Sequence, residues 1–434
     1  MNKLGYSDKD YKKFHDHAWK SLIGFSIMYA FIYNGRMNLP IAQALMMEEL
    51  NWSSRQIGLV SSSLFWAYGF GHLLNGRLGT IFGIKRFIVT GVLLSCLANV
   101  LISFSTNIGL IATLWGLNGY FQSMIWSPGM GLLSNWWPKM KRGFATGVAT
   151  GAAGISQVIA WLCVGAVFTL FPQMGWRAAF NFPLILTLMG GLFFWLISDQ
   201  NPQNVGLAPY EEDADTKKKE DAIFNDIKSK NPLYAYKLLF TDWKFILMCF
   251  IIAFCSICQY GLITLMPRYY REVLEMDIVK GIFSSVVLPL GMAAGSFITP
   301  WISDGIARHK QGSRMPAIIV CSLLSGLTIF LFTVNTSQVI GSILLFFAGF
   351  FVYSINGVIW AYSTDIGMRA FASIVAGVLS WASYIGAALQ AVVFGFILGD
   401  TNNWNMVFIT IAFFSMVIMI LALIVNKKQI TCKL

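Results

Sequence analysis

Charge is what this sequence has least of. Only 12% of its 434 residues are Asp, Glu, Lys or Arg, against roughly 25% in a soluble domain. Acid is missing where it would matter most. No Asp or Glu falls in the central part of a long apolar run; Glu48, Glu49, Asp304, Asp365 and Asp400 all stand at edges or turns. Cysteines are few and poorly placed for disulfides: Cys96, Cys163, Cys249, Cys255, Cys258 and Cys321 lie in apolar runs and Cys432 in the tail. No disulfide is expected, because no polar loop holds a pair. The Cys255–Cys258 spacing falls on an apolar helix, where packing explains it better than metal or redox chemistry. A glycine-rich phosphate loop, metal-ligand spacing and a nucleophile–base constellation are also lacking. That excludes an ATP-driven pump, leaves no basis for an enzyme, and implies no cofactor or metal. The polar stretch from Met1 to Lys20 is not that of a cleavable signal peptide.

What is present is apolar: 56% of the residues are hydrophobic. Runs long enough to span a bilayer fall at 21–46, 57–75, 87–105, 108–134, 144–170, 178–197, 245–266, 281–302, 316–334, 339–361, 370–398 and 406–425. They predict an all-α membrane protein of twelve transmembrane helices in two six-helix halves, residues 1–197 and 245–434. Residues 198–244 read as a soluble linker, charged at Glu211–Asp221, with an amphipathic piece at Tyr234–Phe240. The net charge of +11 sits in the N-terminus, in alternate connections (Arg77, Lys85 and Arg86; Lys139, Lys141 and Arg142; Arg308, Lys310 and Arg314), in the linker and in the tail. The seventh-to-eighth connection balances Arg268, Arg271 and Lys280 against Glu272, Glu275 and Asp277. This is the positive-inside pattern of a multi-pass protein of the cell membrane with both termini cytoplasmic. It is not a nucleic-acid footprint, and the expected surroundings are the lipid bilayer and a monomeric state.

One residue breaks the apolar pattern. Arg36 lies roughly 22 Å along a first span of about 38 Å, too deep to snorkel easily. An intramembrane arginine costs about 2.5–3.5 kcal/mol on insertion scales, so it almost always faces a protein interior or watery cavity. Tyr29, Tyr33 and Arg36, spaced i, i+4, i+7, are expected on one helical face. Two phenols and a five-donor cation suit an anion. Gly35 and Pro40 loosen the backbone beside them. The basic turns after the second span (Gly76 to Arg86) and after the eighth (Gly295 to Arg308) echo each other. Repeats of this kind place a substrate site at their interface near the midplane. Gly147, Gly151 and Gly154 in the fifth span, and Gly386 in the eleventh, are read as points of close helix packing.

Six spans plus six with these turns resemble the major facilitator superfamily, with Thr80 where its first loop usually has an acid. The closer resemblance is to the organophosphate:phosphate antiporters. It is carried by Leu114–Gln122 and Trp126–Gly129, Trp136-Trp137, Lys141–Gly143, Trp176–Phe180, Asn204–Leu207, Gln259–Gly261, Met266–Tyr270 and Tyr384–Gly386. The resemblance implies alternating-access transport of a small organic anion, by antiport. It implies a substrate site at Arg36, Tyr29, Tyr33, Tyr68 and Trp126. At three positions the chain departs: Gln259 replaces the family's second-half arginine, His72 a second-span lysine, and Ala153 a fifth-span histidine. One arginine and a glutamine suit a single negative charge, so a carboxylate or sulfonate joins the phosphate esters as a candidate. His72 and Gln259 are included among the site residues. The missing membrane carboxylate favours exchange over proton symport, with His72 the one obvious alternative proton carrier. A membrane sensor on the same fold is the alternative function.

Overall fold

The computed structural model describes residues 7–137, 139–208, 234–309, 314–335, 337–366 and 368–426. The acidic–basic stretch 211–221, Lys310 and the tail with Lys427, Lys428, Cys432 and Lys433 lie outside them. So do the side chains of Asp304, Asp365 and Asp400.

The first span is two helices, α1 (Asp8–Ile32) and α2 (Asn38–Leu50), joined by a 3-10 turn at Tyr33–Gly35. The first half continues with α3 (Ser54–Phe82), α4 (Ile84–Ser103), α5 (Ile108–Trp136) and α6 (Lys139–Leu170), and its sixth span is α7 (Arg177–Asn181) with α8 (Leu184–Ile197). The expected amphipathic piece is α9 (Tyr234–Thr241). The second half comprises α10 (Trp243–Glu272), α11 (Ile278–Ser285) running into α12 (Val287–His309), α13 (Met315–Val334), α14 (Gln338–Ile366), α15 (Met368–Thr401) and α16 (Trp404–Asn426). The result is the all-α, twelve-span architecture expected.

Among the described residues, ten helices are long and apolar enough to cross a membrane. The two spans that fall short are the first, which is broken, and the fourth, α5, which carries polar residues on its inner face. These two features have one cause. Breaking a helix inside a bilayer strands backbone carbonyls that no water can satisfy. The Gly35 carbonyl accepts from Asn118 Nδ2 of α5 at 2.8 Å and from Asn99 Nδ2 of α4 at 3.2 Å. Asn99 Oδ1 in turn accepts from Asn38 Nδ2 at 2.7 Å, and Ser95 Oγ donates to Asn118 Oδ1 at 2.5 Å. Gln122 Nε2 completes the network by donating to Ser95 Oγ at 3.2 Å. The Phe31 carbonyl is served by Asn34 and Thr187. The reading of Tyr29, Tyr33 and Arg36 as one continuous helical face is therefore corrected. The helix ends at Ile32, and Arg36 has φ −128° beyond the turn.

Close packing occurs both across and within the halves where glycine permits it. A side chain at Gly151 of α6 would collide with Phe297 of α12, and one at Gly386 of α15 with the Ala253 carbonyl of α10. Gly147, grouped with Gly151 by sequence, faces open space. Gly58 of α3 and Gly395 of α15 bring their backbones together: Cβ atoms there would meet the Ala391 and Ser54 carbonyls.

Candidate functional site

The break in the first span delivers Arg36 into the seam between the halves. The residue is 2% exposed. Its guanidinium carbon lies 5.3 Å from the ring centre of Tyr33, 4.4 Å from Tyr68 and 6.0 Å from Phe65, all of the first half. From the second half, Tyr260 and Tyr384 stand at 5.7 and 5.3 Å. Five rings thus hold one cation by their negative faces. Arg36 Nη2 donates to Tyr260 Oη at 2.9 Å, while Nε is buried without a partner. The ion pairs among the described residues, His17–Asp199, Arg177–Glu49, Arg268–Glu272 and Arg271–Glu48, do not include Arg36. The guanidinium thus keeps an unused charged donor and no carboxylate partner among the described residues, the chemistry an oxyanion complements.

The other sequence-derived residues fall in two groups. Tyr33 and Tyr68 touch the guanidinium directly. Tyr29 sits one layer out, 6.2 Å from Tyr33 and 4.8 Å from the half-buried Trp126, ring centre to ring centre. His72 stacks on Tyr384 at 5.6 Å and places Nδ1 2.7 Å from Ser127 Oγ. Gln259 is turned toward its own half, where its Oε1 accepts from Asn356 Nδ2 of α14 at 2.9 Å. The α10 residue that reaches Arg36 is its neighbour Tyr260.

Tyr260, Tyr384 and Phe65 were not singled out from sequence. Tyr260 and Tyr384 stood inside the motifs that carried the family resemblance, so the signal was present. Only the fold shows that they close over Arg36. Tyr353 of α14, bonded at its hydroxyl by Gln157 Nε2 of α6 at 3.0 Å, adds a further contact between the halves.

Access is one-sided. Trp126, Ser127, Tyr353, Asn356 and Tyr384 are half-buried, whereas Gln43, Ser61, Thr264, Arg268 and Gln390, on the other side of Arg36, are buried. On that side Gln43 Nε2 donates to the Thr264 carbonyl, Ser62 Oγ to the Ala388 carbonyl at 3.1 Å, and Arg268 Nη2 to Ser54 Oγ at 2.7 Å, all between halves. The site is open toward the end that carries Lys13 and Val205 and sealed toward the other. Arg268 itself corrects an expectation. Assigned from sequence to a polar connection, it lies inside α10 at 3% exposure.

Two helix halves meeting over a buried charge, open on one side and sealed on the other, are the architecture of a secondary transporter working by alternating access. The chain belongs to the Major Facilitator Superfamily, whose model matches residues 25–391. It is 25% identical over 407 residues to the "Probable hexose phosphate transport protein" of Chlamydia pneumoniae, covering 91% of this chain and 88% of that one. It is 26% identical over 406 residues to the glycerol-3-phosphate transporter of Bacillus subtilis, with 90% and 89% covered. These relatives bear out the resemblance to organophosphate transporters. The fold matches the crystal structure of a bacterial homologue of the human lysosomal transporter Spinster, in an inward-facing and unoccupied conformation. That match has a TM-score of 0.77 at 14% identity and covers 95% and 97% of the two chains.

Proposed function

We propose that the chain exchanges small organic anions, a phosphate ester or a singly charged carboxylate or sulfonate, across the cell membrane, with Arg36 as the anchor for the anionic group. The observation that carries this reading is the state of Arg36: buried, held by five rings, unpaired with any carboxylate among the described residues and with Nε unpartnered. Tyr33, Tyr68, Tyr260 and Tyr384 wall the site, Tyr29 and Trp126 line the approach, and Gln259 with Asn356 offers amide groups to the polar end of the substrate. Residues 1–197 and 245–434 rock as the two halves about the linker 198–244, in a monomer. The lysines of both ends, with the basic alternate connections, support cytoplasmic termini; on that orientation the open side of the site faces inward and the sealed side outward.

The test is thermal stabilisation of the purified protein by inorganic phosphate, glycerol 3-phosphate, a carboxylate and a sulfonate. A ligand at about 100 times its dissociation constant stabilises by about 2.7 kcal/mol. One of these anions is expected to raise the melting temperature, the Arg36→Ala protein is expected to lose that shift, and the same anion should exchange across proteoliposomes. Stabilisation unaffected by Arg36→Ala would remove the site assignment. Stabilisation without flux would make the protein a sensor.

A further inference from the structure

Helix α10 presents a column of polar groups to the first half. Tyr260, Thr264 and Arg268 stand at i, i+4 and i+8, on one face. Each meets the opposite half: Tyr260 at Arg36, the Thr264 carbonyl at Gln43, and Arg268 at Ser54. At 1.5 Å per residue, Arg268 lies about 12 Å beyond Tyr260 toward the outer end. Two small cavities fill the seam between them and share Ser61 and Thr264 as walls. One touches Arg36; the other touches Arg268, Gln43 and Gln390. Gln390 Nε2 donates to Thr264 Oγ1 at 3.3 Å, and its buried Oε1 has no partner. Ser61 and Thr264 are therefore the polar groups common to both cavities, with Gln43 and Gln390 on the Arg268 side and an otherwise apolar wall of Met37, Leu39, Leu64, Phe65 and Trp115 at Arg36.

Arg268 is prepared for more than holding a helix end. Its Nε bonds Glu272 at 2.5 Å, its Nη2 bonds Ser54, and its guanidinium carbon lies 5.5 Å from the Trp404 ring centre. Those bonds leave the Nη1 edge of the fork, which can take an oxyanion. Ser54 belongs to the first half, so outward opening of the seam withdraws it and turns Arg268 toward the vestibule. Nearer the surface, the Arg271–Glu48 pair, at 3.1 Å, also parts at that moment.

We propose that Arg268 is a second anion-binding residue, an outer relay position that takes the substrate's oxyanion group and passes it along the Ser61, Gln43, Thr264 and Gln390 lining to Arg36. This rests on the reading of Arg36 as the central anchor. The chain thus has a second-half arginine on the substrate path after all, about two and a half turns outward of the position where Gln259 replaces one.

The experiment measures exchange of glycerol 3-phosphate and of a singly charged sulfonate, methanesulfonate, in right-side-out and inverted membrane vesicles. Arg268→Gln is expected to raise the half-saturating concentration at the outer face by about ten- to a hundredfold, the loss of one charged hydrogen-bond contact. The value at the inner face should move less than about twofold, since the inward-open site lacks Arg268 contact. Arg268→Lys should fall between, retaining the charge without the fork. Arg36→Lys should weaken both faces. Equal changes at both faces in Arg268→Gln, or none, overturn the relay. So does Ser54→Ala, if it reproduces the outer-face change, because Arg268 would then act only as a latch. If neither anion is exchanged by the wild-type protein, or if Arg36→Lys leaves exchange intact, the reading of Arg36 fails, and the proposal with it, in a pattern distinct from failure of the relay alone. Should the Arg268→Gln protein not fold, Arg268→Lys decides by the same comparison of faces.

Discussion

On the proposed reading of the site, its charge count dictates which form of a phosphate ester can be carried. Arg36 is the cation the five rings hold, and no carboxylate among the described residues pairs with it. A single positive charge is balanced by a single negative one. A phosphate monoester loses its second proton near pH 6, so its monoanion makes up about 3% of the total at about pH 7.5 and about 75% at about pH 5.5. The half-saturating total concentration of glycerol 3-phosphate should therefore fall by about 25-fold between those pH values. The assay is exchange flux in proteoliposomes with the same pH on both faces, so that no proton gradient contributes. A sulfonate, singly charged throughout, should show no such change. His72 is the group at the site able to imitate the effect, being packed against Tyr68 and Tyr384 with Ser127 on its Nδ1. A titration on the protein would move ester and sulfonate alike, and His72→Gln would flatten it. Gln259→Arg, by adding a second cation, should flatten the ester profile alone. An ester profile that is flat in the wild type, or a slope shared with the sulfonate, refutes the charge count.

Three further outcomes follow from the packing. Arg36→Ala should abolish exchange yet leave the unliganded melting temperature level or slightly raised, because an uncompensated buried charge is a burden to the fold; a large drop in melting temperature would show that the guanidinium is structural. Asn118→Leu should destabilise by about 1–3 kcal/mol by depriving the buried Gly35 carbonyl of its shorter bond, read as a lowered melting temperature, with full stability counting against the bridging role. Gly386→Val would drive a side chain into the Ala253 carbonyl and force α15 from α10; normal yield and melting temperature in that variant would show the contact to be slack.

The membrane class, the twelve spans and the buried arginine were legible because bilayer insertion is governed by local composition, which a single sequence carries whole. Arg36 announced itself as a charge where none is cheap. The aromatic cage did not, since the tyrosines at 260 and 384 are about 220 and 350 positions further along the chain, and no local pattern links them to Arg36. Helical periodicity misled at Tyr33, because the turn there depends on asparagines from two other spans. The same motif that signalled kinship, Leu114 to Gln122, turns out to hold that turn in place: Asn118 and Gln122 belong to the network that satisfies the broken backbone. Arg268 was read as a loop residue because three cations and three acids in close succession resemble solvated sequence. In the fold, α10 continues through Pro267 and buries it.

The energetics of Arg36 bear on why exchange, rather than one-way passage, suits this site. Insertion scales put an arginine at mid-membrane at about 2.5–3.5 kcal/mol. Cation–π contacts return about 0.5–2 kcal/mol each, and the nearest ring here, Tyr68, lies 4.4 Å away. Cage and cost are of similar size, so the empty carrier can hold the charge in the seam with the outer side sealed. Moving the halves past each other is a different matter. Tyr33, Tyr68 and Phe65 travel with Arg36, but Tyr260 and Tyr384 belong to the other half, and rocking strips them from the cation before new contacts form. An anion bonded to Nε and Nη compensates the charge throughout that passage and moves with Arg36. The unliganded return has no such partner, since no carboxylate among the described residues is placed to replace it. With Arg36 as the proposed anchor, the barrier to crossing empty is expected to exceed the barrier to crossing loaded, and a carrier with that inequality exchanges one anion for another.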